Sequence, residues 1–154
     1  MANTLYDTDF NDTDFNLWSD KTSQALHQRD FESLDWNNLI EEVETLGRSE
    51  KNALENNLEK VLIHLLKWKY QSDKRSNSLH YTIVEHRNRL HKAFESSPSL
   101  KNYDLEVFNK CYRNAVKLAS AETGLSKIVF PVECPFMTEQ AWDDDYLPEN
   151  CESE

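Results

Sequence analysis

Glycine, proline and cysteine are scarce in this chain of 154 residues: it has 2 Gly, 4 Pro and 3 Cys. An all-β fold needs many tight turns, and two glycines cannot supply them. They also exclude a glycine-rich phosphate loop, and with it the ordinary nucleotide-binding enzymes. Cys111, Cys134 and Cys151 are odd in number, show no CxxC spacing and have no His at zinc-finger spacing, so neither a disulfide framework nor a zinc finger is expected. No apolar run approaches 18 residues, and MANTLYDTDF has neither a basic start nor an apolar stretch. These absences lead us to expect a soluble, cytoplasmic protein with reduced thiols and no membrane association.

What the chain does contain is acid and helix formers. The formal net charge is -11, unevenly spread. Residues 1–50 carry 12 acidic and 3 basic groups, residues 51–95 carry 5 and 9, and residues 96–154 carry 11 and 5. Nucleic-acid affinity comes mainly from Lys and Arg neutralising phosphates, so a polyanion is not the expected partner. A basic middle between acidic arms points first to internal charge pairing and second to a partner surface.

Hydrophobic periodicity gives an all-α reading: a compact bundle of about five helices around a long central apolar helix, with an extended Pro-containing C-terminal segment. One domain is expected over 1–154, with 1–13 an acidic approach and 143–154 an acidic tail. The central element lies in Leu34–Gln71, whose second half leaves almost no polar side. Asp14 is a candidate N-cap for a helix carrying Phe15, Trp18, Thr22, Ala25 and Leu26 on one face. Asp35 caps a short helix with Trp36, Leu39, Ile40, Val43 and Leu46 inward, which Gly47 is expected to end. Ser49 then caps the central helix, striped by Leu54, Leu58, Val61, Leu65 and Trp68. Ser78 caps a helix with Leu79, Ile83, His86, Leu90 and Ala93 or Phe94 inward. After Ser97-Pro98-Ser99 comes a helix with Leu105, Phe108, Tyr112, Ala115, Val116 and Ala119 inward, closed by Gly124. Pro131 and Pro135 make the following stretch extended. Thr138–Trp142 suggests one last helical turn.

Residues 7–11 and 12–16 both read DTDFN. Asp-x-Asp-x-Asn resembles the start of a calcium loop, but the required Gly and the closing Glu are missing, and a local duplication is the better reading. The words YDTDFNLW, LDWNNLIEEVETLGRSEK, HLLKWKYQ, SNSLHYTIVEHR, SPSL, AETGL, FPVECPF and LPE, in this order, resemble the bacterial family catalogued as domain of unknown function 29. The resemblance covers nearly the whole chain and implies a compact all-helical domain. It carries no activity with it. The duplicated DTDFN and the Leu79-His80 pair, where an aromatic residue is usual, depart from the family pattern.

Two sets of residues are candidates for a site. His86 falls on the apolar stripe of its helix, His64 on the flank of the central stripe and Glu44 on the flank of the Trp36 stripe. Converging from facing helices, they could hold a transition metal, with Glu44 as a ligand or as the general base of a hydrolase. Yet the Glu-x-x-His pair of di-iron bundles is absent, since Val61 and Ile83 stand three positions before the two histidines. A core histidine bonded to a carboxylate or to Tyr112 is the preferred reading, and no cofactor is expected. Glu41 and Glu42 read as a solvated face. Cys134 has no adjacent base and reads as an inert thiol. The second set is Lys67, Lys69, Lys74, Arg75, Arg87, Arg89 and Lys92, interleaved with Trp68, Tyr70 and Tyr81, which could meet an anionic ligand or nucleic acid. With no catalytic word present, the leading expectation is a non-catalytic protein-interaction module. It would bind a basic partner or self-associate, with Trp18, Trp142 and Tyr146 as contacts, in the manner of an antitoxin or inhibitor.

Overall fold

Asp14 accepts the Leu17 N–H at 2.9 Å, and this cap starts the first helix of the computed structural model, which describes residues 14–149. Helix α1 spans Phe15–His27, α2 Trp36–Tyr70, α3 Asn77–Ser96, α4 Leu100–Thr123 and α5 Thr138–Trp142, with single 3-10 turns at Phe31–Ser33, Ser72–Lys74 and Lys127–Val129. No strand occurs among the described residues, so the fold is all-α. None of these helices is long and apolar enough to cross a membrane. The first DTDFN copy lies outside the described residues. The chain divides into two compact units, Met1–Ser49 and Glu50–Glu154.

In the first unit, α1 buries Trp18, Thr22 and Ala25. It ends through Arg29, which adopts a positive φ of 56°, and the Asp30 N–H returns to the Ala25 carbonyl at 2.9 Å. Asp35 caps α2 as expected, accepting from the Asn38 N–H at 3.2 Å and from its side-chain amide at 2.7 Å. Gly47 does not end that helix. Its φ is not in the left-handed region and no proline follows, so α2 continues through it as one element of 35 residues. A helical glycine costs only about 1 kcal/mol relative to alanine, too little to break a ladder with strong formers on both sides.

The second unit holds the core. From α2 it takes Leu54, Leu58, Val61, Leu62, Ile63, Leu65 and Leu66, all buried. Each is worth roughly 1.5–3 kcal/mol of transfer free energy. The N-cap of α3 is Ser76 rather than Ser78, accepting the Leu79 N–H at 3.1 Å. The inward face of α3 is Leu79, Ile83, Arg87, Leu90 and Phe94, the expected stripe except that Arg87 takes the place of His86, which is half-buried on the flank. On α4 the expected Phe108, Tyr112, Ala115 and Ala119 are buried, joined by Leu100, Asp104, Val107 and Cys111, while Leu105 faces out and Val116 is half-buried. Gly124, at φ 75°, closes α4 as a left-handed C-cap, a conformation a Cβ would strain.

Polar contacts tie α2 to α4. The Tyr103 hydroxyl donates to Glu55, the Lys110 ammonium lies 3.0 Å from the same carboxylate, and the Asn114 amide donates to Glu59 at 2.9 Å. The Tyr103 bond, followed by Lys110, holds the Glu55 carboxyl below the usual carboxylate range, while Tyr103 is pushed up to about 12. Beyond α4, Phe130 and Phe136 are buried against the core, whereas Ile128, Val129, Val132 and Met137 are exposed. Of this extended stretch the two phenylalanines are thus the apolar side chains committed to the core. The acidic tail also buries more than its composition implies: Pro148 is buried, and Tyr146 and Leu147 pack on the core.

Candidate interaction surfaces

Arg87 explains how the tail is held. Only 1% exposed, it donates from Nε to the Ala141 carbonyl at 3.0 Å, from Nη1 to Tyr146 at 2.8 Å and from Nη2 to Gln140 at 3.0 Å. These carbonyls lie at the C-terminal end of α5 and just after it, where a helix of five residues leaves acceptors open. Burial lowers the guanidinium pKa, and the nearby carboxylates of Asp144 and Asp143 offset part of that effect. Arg87 is thus an internal clamp and is not available to an anionic ligand.

The rest of the expected basic surface is largely spent as well. Lys67 pairs with Glu122 at 2.8 Å and Arg89 with Glu85 at 2.7 Å. Arg75 donates to the Trp68 carbonyl at 2.8 Å and lies over the Trp68 ring. Lys74 and Lys92 are exposed, and Lys69 is half-buried. Of the aromatic candidates, Trp18 is buried in the first unit, Trp142 packs edge-on against Phe94, and Tyr146 packs against Phe136.

The histidine candidates sit on facing helices. His64 donates from Nδ1 to the Lys60 carbonyl at 2.6 Å, and His86 donates from Nδ1 to the Asn57 side-chain oxygen at 2.9 Å. Desolvation lowers both pKa values, and a charged His64 further disfavours protonation of His86. Glu44 belongs to the first unit, exposed and 3.8 Å from Arg48. Among the described residues, no three His, Cys, Asp or Glu side chains gather where they could hold a metal ion. Cys134 lines a crevice of about 720 Å³ with Arg113 and Glu133, but burial pushes its thiol up to about 11, which keeps it protonated and unreactive.

The first unit offers a different kind of surface. Phe15, Trp18, Leu26, Leu39, Val43 and Leu46 line a groove of about 440 Å³ between α1 and the first turns of α2. The stripe expected to face a core remains open: Val43 is 60% and Leu46 68% exposed, with Trp36 and Ile40 about half exposed. Glu42 stands in the groove wall, and residues 14–49 carry 8 acidic against 3 basic groups. Amphipathic spacing makes this stripe legible in sequence. Spacing alone could not say that it is left exposed among the described residues.

No match is found among the curated proteins or among the solved structures. The sequence pattern of one family spans the chain almost from end to end, and on that match over residues 5–147 the chain belongs to the family described as Domain of unknown function DUF29.

Proposed function

We propose that this chain is a non-catalytic protein-interaction module that takes a basic partner on the first unit. The observation that carries the reading is the apolar groove between α1 and α2, open to solvent and set in an acidic unit. Exposed apolar side chains in a row have a transfer free energy to gain on burial, and surrounding carboxylates favour a cationic partner while speeding its approach. A second copy of the chain is the poorer occupant, because two first units would bring like charge together. An inhibitor or antitoxin acting on a nucleic-acid-binding protein is one form such a module takes.

The test is affinity capture from a lysate of the source cells at low and high salt, with the parent and a Val43→Asp, Leu46→Asp variant side by side. A basic protein retained by the parent, weakened by salt and lost from the variant is the expected outcome. Retention of the same proteins by the variant would remove the groove from the mechanism.

A further inference from the structure

A smaller crevice of about 260 Å³ lies on the second unit between α4 and the segment 127–132, with Arg113, Val116, Lys117, Lys127, Phe130 and Val132 in its lining. Its walls are held in place. The Tyr112 hydroxyl donates to the Pro131 carbonyl at 2.5 Å, and Ser120 donates to the Leu125 carbonyl at 2.6 Å. Phe130 is buried, with its ring edge-on to Tyr70 at 5.4 Å. Arg113 and Lys117 stand one turn apart on α4, and Lys127 faces the crevice from the turn opposite. None of these three side chains enters an ion pair or a hydrogen bond among the described residues, although the chain as a whole is strongly acidic. Beside them Ile128 is 92% and Val132 95% exposed.

Unpaired cations around a preformed apolar slot ask for a ligand with both characters. We propose that this crevice binds an acidic peptide segment of a partner protein. The segment seats an aliphatic or aromatic side chain against Val116 and Phe130, and its carboxylates meet Arg113, Lys117 and Lys127. Charge complementarity selects this occupant over the others. A second copy would bring the full net charge of -11 with it. Nucleic acid needs a longer track of cations and exposed aromatic faces for its bases, whereas the slot has three cations and its two aromatic rings, Tyr112 and Phe130, are buried. A short acidic segment brings few charges and one or two anchors, which is what the slot can hold. The proposal is independent of the first-unit groove, which is acidic and would select peptides of the opposite sign.

The test is selection of a random peptide library on the full chain, run in parallel on an Arg113→Glu, Lys117→Glu, Lys127→Glu variant and on the Val43→Asp, Leu46→Asp variant. The helical signal and thermal midpoint of each variant are checked against the parent first. All five positions are exposed, so the fold should survive; if the triple variant unfolds, Lys117→Gln with Lys127→Gln takes its place. We expect a class of enriched peptides combining Asp or Glu with an apolar anchor. Their affinity should fall by about tenfold or more on the charge-reversed variant, weaken with salt, and stay unchanged on the groove variant. Enrichment without acidic bias, or equal binding to parent and charge-reversed variant, would overturn the proposal. So would a 20-residue single-stranded oligonucleotide that displaces those peptides and binds more tightly, which would assign the cations to nucleic acid.

Discussion

Replacing Asp104 with Asn should make the protein more stable at neutral pH and remove much of the pH dependence of its unfolding. Asp104 is 1% exposed on the inward face of α4, and neither carboxyl oxygen has a hydrogen-bond partner among the described residues. The Trp142 indole N–H is near enough to favour the carboxylate slightly, yet it does not reach the geometry of a hydrogen bond. Burial dominates and pushes the carboxyl up to about 7 from an ordinary value of 3.8. The sign follows from linkage. The unfolded chain releases the proton at the lower pH, so stability is unaffected below about pH 4, falls as pH rises from there to about 7, and levels off above. Three pH units at 1.36 kcal/mol each give a penalty of about 4 kcal/mol at neutral pH. Asn cannot ionise, and its amide lacks only the charge, so urea unfolding at about pH 8 should show the variant more stable by about 2–4 kcal/mol once a stranded amide donor is allowed for. Near pH 4 the two should converge or reverse. His64 and His86, with their lowered pKa values, add stability as pH rises toward about 6.5, but they act on parent and variant alike and cancel in the difference. A stability difference that does not change with pH would refute the reasoning, because it would mean that Asp104 ionises in the folded state as it does in water.

Arg87→Met keeps the volume and strands three carbonyls, so it should destabilise the fold by about 3–5 kcal/mol in denaturant unfolding and raise hydrogen exchange over residues 140–149 before elsewhere. Gly47→Ala should raise stability by about 0.5–1 kcal/mol in a thermal melt, since a Cβ there meets nothing within 4 Å and the backbone is helical. Gly124→Ala should lower it by about 1 kcal/mol in the same assay, because the φ of 75° is strained for any side chain. His86→Gln should stay within about 0.5 kcal/mol of the parent, with His86→Leu costing about 1 kcal/mol through the Asn57 oxygen it leaves unpaired.

Three of the caps, the all-α class and the final helical turn were legible because each has a local signal: Asp14 and Asp35 before apolar periodicity, Gly124 after it, and prolines spaced to forbid a helix; Ser49 and Ser78 were misplaced as caps, since the first lies inside α2 and Ser76 caps α3. Gly47 misled for the opposite reason. A glycine ends a helix only where the backbone turns left-handed, and nothing local separates that case from a glycine tolerated in mid-helix. The Trp36–Leu46 stripe was legible as an amphipathic face but not as an uncovered one, since covering depends on what the rest of the unit provides. Arg113, Lys117 and Lys127 went unnoticed because Lys127 lies beyond the end of the helix that carries the other two and joins them only once Gly124 has ended that helix.

The positions misplaced on α3 and α4 share one physical cause, and it bears on where a partner can bind. Hydropathy places Arg and Asp outside, so the faces through His86 and Leu105 look more apolar than those through Arg87 and Asp104. Spacing does not decide between them. Leu79, Ile83, Leu90 and Phe94 keep steps of three and four through either His86 or Arg87, and on α4 the row Leu100, Asp104, Val107, Cys111 and Ala115 is as regular as the row that starts at Leu105. A charged residue that takes the inward place on such a row is a buried group that the fold must satisfy or keep neutral. Arg87 is satisfied by three carbonyls, and burial favours the neutral form of Asp104. Neither is then a site for a ligand, although each is the kind of residue that a search for charge would choose first. The surfaces left for partners are those where the pattern fails in the other direction, with apolar side chains exposed beside uncommitted charge: the groove lined by Val43 and Leu46, and the slot beside Lys117 and Lys127.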